Sequence, residues 1–202
     1  MIIKKILSQF VINPSKKWTI RELSLKTTIN YRQVYEAIHK LILDGVITYE
    51  KVGASKQCAI DISKNEKIFS EVENFRTNQI ISKNSSIKLI SKLIKELNSC
   101  FFICILFGSY ANHTQTKKSD LDLLFIIPDL ENDENFKKQI KQKLSVLPDK
   151  LDINVVQENW YLDMISKPNK YNLANEIIKN HVILFGSEQY YLLFQKNILK
   201  GN

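Results

Sequence analysis

The sequence predicts an α+β protein in two parts: an N-terminal segment of helices closed by a β-hairpin, and a C-terminal small mixed sheet flanked by helices. Three observations carry this expectation. Apolar residues recur at helical spacing through residues 2–43 and then give way to two short alternating runs on either side of Gly53. An apolar run from Phe101 to Phe107 ends on Gly108-Ser109, and ten residues later Asp120-Leu121-Asp122 opens a second apolar run that reaches Ile127. Positive charge is confined to the first half: residues 1–62 carry a net +5, residues 63–99 a net +3, and residues 100–202 none.

Composition sets the outer bounds. A chain of 202 residues holds one domain or two small ones, with length enough for a core. Hydrophobic content of 44% and charged content of 25% are ordinary for a soluble globular protein. Three cysteines without metal-like clustering argue for a reducing compartment and against a disulfide frame or a zinc site. Cys100 and Cys104 are expected to share a strand face as small hydrophobes. No stretch has the apolar length of a membrane span, and Met1–Leu7 lacks the cleavage site of a signal peptide, so a cytoplasmic protein is expected.

The first helix is expected over residues 2–11, where Ile3, Ile6, Leu7 and Phe10 share a face, and Asn13-Pro14 ends it. Trp18-Thr19-Ile20 reads as an extended link. Thr19, with Glu22 three residues on, forms a capping-box pattern for a second helix through Leu25. Asn30 caps a third, whose apolar positions Val34, Ile38 and Leu41 lie on one face. Asp44-Gly45 stops it. Val46–Tyr49 and Gln57–Ile62 then read as strands around a turn at Gly53-Ala54-Ser55. The run from Arg21-Glu22-Leu23 to Asp44-Gly45-Val46-Ile47 resembles a winged helix-turn-helix domain, similar to many small bacterial and archaeal regulators. The resemblance implies DNA as a partner, with Tyr31, Arg32, Gln33 and Glu36 facing bases and Lys40, Tyr35 and His39 at the flank. Lys51 and Lys56 would meet phosphates at the wing. The basic excess favours DNA over a purely protein-docking role.

Residues 63–85 read as a helical connector between a first domain at 1–62 and a second at 86–202. Asn84-Ser85-Ser86 separates a helix built on Ile68, Val72 and Phe75 from one built on Ile87, Ile90 and Ile94. The earlier helix suits either a spacer or a dimer seam.

The chemistry is concentrated after Cys100. In a strand, Asp120 and Asp122 project to one face while Leu121 and Leu123 project to the other. Two adjacent carboxylates repel unless a cation lies between them, and their hard oxygens suit Mg²⁺ held together with substrate phosphates. Gly108-Ser109 offers an unobstructed backbone and a hydroxyl donor to a phosphate. An amphipathic helix built on Phe136, Ile140 and Leu144 follows, and Leu151–Val156 then alternates so that Asp152 and Asn154 share a face. Beyond Asn159 the chain is expected to be mostly helical, through Trp160–Ile165 and Tyr171–Ile178. A short strand over His181–Phe185 leads to Gly186 and a final helix capped by Ser187. Tyr190, Tyr191, Leu193 and Phe194 read as core or as dimer surface.

Phe107-Gly108-Ser109 followed by Asp120-Leu121-Asp122-Leu123 resembles the motif of the DNA polymerase beta-like nucleotidyltransferase superfamily, in particular its minimal nucleotidyltransferases. Relatives often continue the motif with Arg-Gly, where this chain has Asn112-His113. The resemblance implies that Asp120 and Asp122 hold two Mg²⁺ ions, with Asp152 holding one and helping to deprotonate an acceptor hydroxyl. Asp149 is a weaker third carboxylate. Gly108 and Ser109 would grip the triphosphate of an NTP, with ATP as the expected nucleotide, and Lys118 and Ser119 are further candidate contacts. The implied reaction moves an NMP group onto an acceptor hydroxyl, with a partner toxin protein as one acceptor class. Winged helices commonly dimerise, so a homodimer is the expected assembly. The alternative is a DNA-binding regulator whose second domain only senses nucleotide or binds a partner.

Overall fold

A computed structural model of the chain describes residues 1–13, 16–52, 55–60, 66–97, 101–166, 177 and 180–200. Helix α1 (Ile2–Ile12) buries Ile6, Leu7, Phe10 and Val11. Helix α2 (Ile20–Thr27) starts in the expected capping box. The Thr19 hydroxyl accepts the Glu22 N–H at 3.1 Å and the Glu22 carboxylate accepts the Thr19 N–H at 2.8 Å. The carboxylate also accepts the Thr19 hydroxyl at 2.9 Å, and the bonds it receives from the Thr19 N–H and hydroxyl hold the Glu22 carboxyl below its usual range. Helix α3 (Tyr31–Leu43) is capped by Asn30, whose Oδ1 accepts the Gln33 N–H at 2.9 Å. Its buried face is Val34, Ala37, Ile38 and Leu41.

Strands β1 (Ile47–Val52) and β2 (Ser55–Ile60) pair antiparallel, with Tyr49 opposite Cys58. The residues at Trp18 do more than link α1 to α2. Trp18 and Cys58 exchange both backbone hydrogen bonds, at 3.0 and 2.7 Å, so the chain entering α2 forms a bridge along the far edge of the hairpin. The expected turn at Gly53-Ala54 and the end of the second strand at Asp61-Ile62 lie outside the described residues, as does Cys100.

Helix α4 (Glu66–Ile81) is followed by α5 (Ser85–Lys95), which Asn84 caps. Rather than standing apart as a spacer, α4 packs on α1. It also packs on strand β6 (Val182–Phe185) and on the last helix, α9 (Ser187–Lys200). Polar bonds reinforce the packing. Thr77 donates to the Ile183 carbonyl at 2.7 Å, and the Ser70 and Ser187 hydroxyls lie 2.7 Å apart. The Ser187 side chain is thus turned to α4 and is not an N-cap. It stands as the first helical residue after Gly186.

The second half forms a four-stranded sheet ordered β5-β4-β3-β6. Strand β3 (Ile103–Phe107), the short helix α6 (Gly108–Ala111) and β4 (Leu121–Ile127) make an antiparallel pair. Helix α7 (Asp133–Leu144) then crosses over to β5 (Leu151–Gln157), which runs parallel to β4 as such a crossover requires. Helix α8 (Glu158–Ile165) follows β5. The expected helix over Tyr171–Ile178 lies outside the described residues apart from Ile177, which is buried.

Alternation along the strands sorts the sheet into two faces. Leu121, Leu123, Phe125 and Ile127 pack with Cys104, Leu106, Ile90 and Phe136, under α5 and α7. Leu124 and Ile126 point the other way and join Ile103, Ile105 and Val156. They belong to a core that continues through Phe69 and Val72 of α4 to Phe10 and Val11 of α1. Tyr190, Tyr191 and Leu193 are part of this second core. Among the described residues, no helix is long and apolar enough to cross a membrane.

Candidate active site

The site is assembled where β3 ends and β4 and β5 begin. Phe107, the last residue of β3, is the register partner of Asp122, so the turn that follows it lies over the Asp122 carboxylate. Gly108 has a φ of +66°, and a Cβ added there would sit 2.0 Å from Asp122 Oδ2. Only glycine permits both the left-handed backbone and this approach of turn to carboxylate.

Asp122 is in turn the register partner of Asp152 on the parallel strand β5. Their even-numbered neighbours Leu124, Ile126 and Val156 share one core, so both carboxylates continue the same face past the edge of that core. Asp120 precedes β4, two residues ahead of Asp122. Its Oδ2 accepts a hydrogen bond from Lys150 Nζ at 2.7 Å. The Leu121 N–H donates to the Lys150 carbonyl at 2.9 Å, which pins the starts of β4 and β5 together and holds Lys150 beside Asp120. The bond to Asp120 and the Asp120 charge raise the Lys150 ammonium above its ordinary value, and the Asp152 charge adds to them. Asp152 Oδ2 accepts from Asn154 Nδ2 at 3.3 Å. Asp149 has Oδ2 buried without a hydrogen-bond partner.

These donors are of the kind Mg²⁺ takes, and the glycine cradle over Asp122 leaves room that any side chain would fill. Among the described residues, however, no three Asp, Glu, His or Cys side chains already converge as a metal-binding group. Asp122 and Asp152 meet in register, whereas Asp120 is engaged with a lysine.

The other sequence candidates are distributed as follows. Gly108 and Ser109 open α6 directly over Asp122. Ser119 uses its hydroxyl inside its own loop, accepting the Thr116 N–H at 2.9 Å, and Lys118 is exposed beside it. His113 has a φ of +58°, a left-handed backbone that glycine adopts freely, which accounts for the glycine often found there in the family it resembles.

On α3, Arg32 Nε bonds Glu36 Oε1 at 2.9 Å and Gln33 Oε1 accepts from the Asn30 side chain at 2.8 Å. Lys40 and Lys51 are exposed, and the Lys56 ammonium lies 5.8 Å from the centre of the Tyr49 ring. Tyr31, Tyr35 and His39 form a ladder of ring contacts along the exposed side of α3 that runs on to Tyr49. Sequence reasoning had placed these residues individually but not as a continuous aromatic strip. It also had no means of finding Lys150, which is 30 positions from Asp120 and reaches it only through strand register.

Residues 87–184, from α5 to β6, match the family model described as "Nucleotidyltransferase domain", which supports the nucleotidyltransferase superfamily for this stretch. A solved structure described as "Crystal structure of the toxin-antitoxin with AMP-PNP" is 23% identical. The likeness covers 56% of this chain and 85% of that chain at a TM-score of 0.39, too loose to bear on what this chain binds. No curated protein matches the chain.

Proposed function

We infer that the chain is a Mg²⁺-dependent nucleotidyltransferase that moves the NMP group of an NTP, with ATP as the expected donor, onto an acceptor hydroxyl. The observation that carries this reading is the stacking of three features at one sheet end. Gly108 lies against Asp122, and Asp122 lies in register with Asp152, within the stretch that matches a nucleotidyltransferase model. Asp120, Asp122 and Asp152 would hold two Mg²⁺ ions, the first through a carboxylate that must leave Lys150. When bound, the metal supplies charge neutralisation at the triphosphate. Asp152 takes the proton of the acceptor hydroxyl as its oxygen bonds to the α-phosphorus, and pyrophosphate leaves with the pair of electrons of the broken bond. The Gly108 and Ser109 turn donates to the phosphate oxygens, and Lys118 adds positive charge nearby.

The N-terminal segment is read as a winged helix that contacts DNA through Tyr31, Arg32, Gln33, Glu36 and Lys40, with Lys51 and Lys56 on the hairpin. Its net +5 charge and the exposed side of α3 support this. By the same family resemblance, the acceptor class includes a hydroxyl on a partner toxin protein, and the assembly is a homodimer.

A thermal-shift titration with ATP, GTP, CTP and UTP, each with and without Mg²⁺, tests the transferase reading without knowledge of the acceptor. A Mg²⁺-dependent increment that Asp120→Asn/Asp122→Asn abolishes is expected. A second reading, a DNA-binding regulator whose sheet domain only senses nucleotide, is favoured by the Asp120–Lys150 pair. With Lys150 holding Asp120, it predicts an increment from nucleotide alone, with no further gain from Mg²⁺. For the DNA arm, Arg32→Ala and Lys40→Ala are expected to weaken binding of a fluorescent duplex and to lower its salt dependence.

A further inference from the structure

A cavity of about 490 Å³ opens between the two halves of the molecule, apart from the carboxylates. Its walls come from α1, from Lys16 and Trp18 ahead of α2, from Lys26 in the last turn of α2, from α4, and from Ala111–His113 at the exit of α6. That volume lies within the range of small-molecule sites. The chemistry of the lining is one-sided. Lys16, Lys26, Arg76 and Lys83 line it, Lys26 and Lys83 being exposed, and no Asp or Glu is among the described residues that line it.

Two of these cations are already used. Arg76 binds Glu73 and the His181 carbonyl, and Lys16 lies 3.8 Å over the Trp18 ring and 3.8 Å from a Glu22 oxygen. Lys26 and Lys83 make no side-chain hydrogen bond or ion pair to a described residue. Like-charged groups gathered around a cavity raise one another's energy unless an anion enters. Trp18 also lines the cavity, so its ring stands where it can report on an occupant. Asn112 and Asn180 add amide groups to the wall.

We propose that this cleft is a second ligand site, distinct from the carboxylate site, for a small phosphorylated anion held by Lys26 and Lys83 beside Trp18. The sheet order separates the two sites: the carboxylates stand on β4 and β5, whereas the cleft borders Val182 at the start of β6, with the α6 turn between them. A ligand there touches the N-terminal helices and the residues that follow Gly108-Ser109 at once.

The chain has two tryptophans, and Trp160 is 52% exposed on α8 away from the cleft. In a Trp160→Phe background, Trp18 alone reports. The experiment titrates this protein with inorganic pyrophosphate in EDTA, where a metal-dependent carboxylate site cannot contribute, and follows Trp18 emission. Saturable binding is expected, weakened about tenfold or more in Lys26→Ala/Lys83→Ala, as for loss of charge-assisted hydrogen bonds. Binding should be unchanged in Asp120→Asn/Asp122→Asn and in Lys138→Ala/Lys141→Ala on α7, which controls for general surface charge. Failure of pyrophosphate to bind would overturn the proposal, as would equal loss in the α7 control or retention in the Lys26/Lys83 variant. Binding of a duplex oligonucleotide but not of pyrophosphate would overturn it too, reassigning the lysines to DNA. None of these outcomes touches the transferase reading, which rests on the Mg²⁺-dependent increment.

Discussion

Two clusters of charge lie on the same molecule and are built in opposite ways. In the core, Glu73 is 0% exposed and its carboxylate is bonded by Arg76 and Tyr191. Arg76 Nη1 donates to both carboxylate oxygens at 2.8 and 2.9 Å, Tyr191 donates at 3.1 Å, and His181 Nε2 lies 3.4 Å away. Burial by itself would raise the Glu73 carboxyl, but the Arg76 charge, with His181 and Tyr191, outweighs it and holds the group below the usual range. At the sheet end, Asp120, Asp122 and Asp152 carry three like charges near solvent, with the Lys150 ammonium on Asp120. The first cluster pairs its carboxylate without a ligand and ties α4 to β6 and α9. The second gathers carboxylates at an accessible edge, where an incoming cation would join them. A buried charge paired inside the core serves the architecture, and carboxylates gathered at an accessible edge suit a ligand.

Removing one partner from each cluster separates these roles. Arg76→Leu leaves a buried carboxylate uncompensated and is expected to cost about 3–5 kcal/mol in urea unfolding, the largest effect anticipated here. Asp122→Asn should act on the ligand side instead: the Mg²⁺-dependent stabilisation by nucleotide, about 2.7 kcal/mol at a hundredfold excess over Kd, disappears from the melting curve.

Gly108→Ala probes the contact between turn and carboxylate, with Gly45→Ala as its control. Both glycines have positive φ, but a Cβ at Gly45 meets nothing within 4 Å, whereas one at Gly108 strikes Asp122. Backbone strain of about 1–3 kcal/mol is expected at both. Only Gly108→Ala should also lose the nucleotide increment.

The pH profile sharpens the core side of the comparison. Because the folded Glu73 carboxyl lies below its unfolded value, its stabilisation is fully present above the ordinary carboxylate range and is lost as pH falls through the folded value. Glu73→Gln should therefore flatten the acid limb of stability against pH, measured by denaturant midpoint. The smallest effect belongs to Lys150→Ala. With its ammonium gone from Asp120, the Mg²⁺ concentration needed for half of the nucleotide shift should fall by a few-fold, with little change in the apo melting temperature.

Local signals in this chain were highly legible. The Thr19–Glu22 capping box, the Asn30 cap, the break at Asn84-Ser85-Ser86 and the stop at Asp44-Gly45 occur where residue chemistry places them, because caps are satisfied by atoms three residues away. The alternation at Asp120-Leu121-Asp122 was legible for the same reason, since period-2 geometry belongs to the strand itself. The Ser187 cap was misread because a hydroxyl 117 positions away in sequence competes for that side chain. Glu73 and Arg76 carried no warning either, since charged residues at i and i+3 on a helix are usually a solvated pair, and here the docking of α9 and β6 buries them.

By itself, then, the sequence determined most of the elements, the Thr19 and Asn30 caps, the turn at Gly108-Ser109 and the alternation that buries Leu121 and Leu123, all set by sterics and hydrogen bonds within a few residues. Tertiary structure alone decided that Asp152 stands opposite Asp122 and that Lys150 reaches Asp120. It also decided that a cationic cleft lies where α1, α4 and α6 meet. Strand register and helix docking are chosen by how whole faces bury together, and no short stretch of chain contains that information.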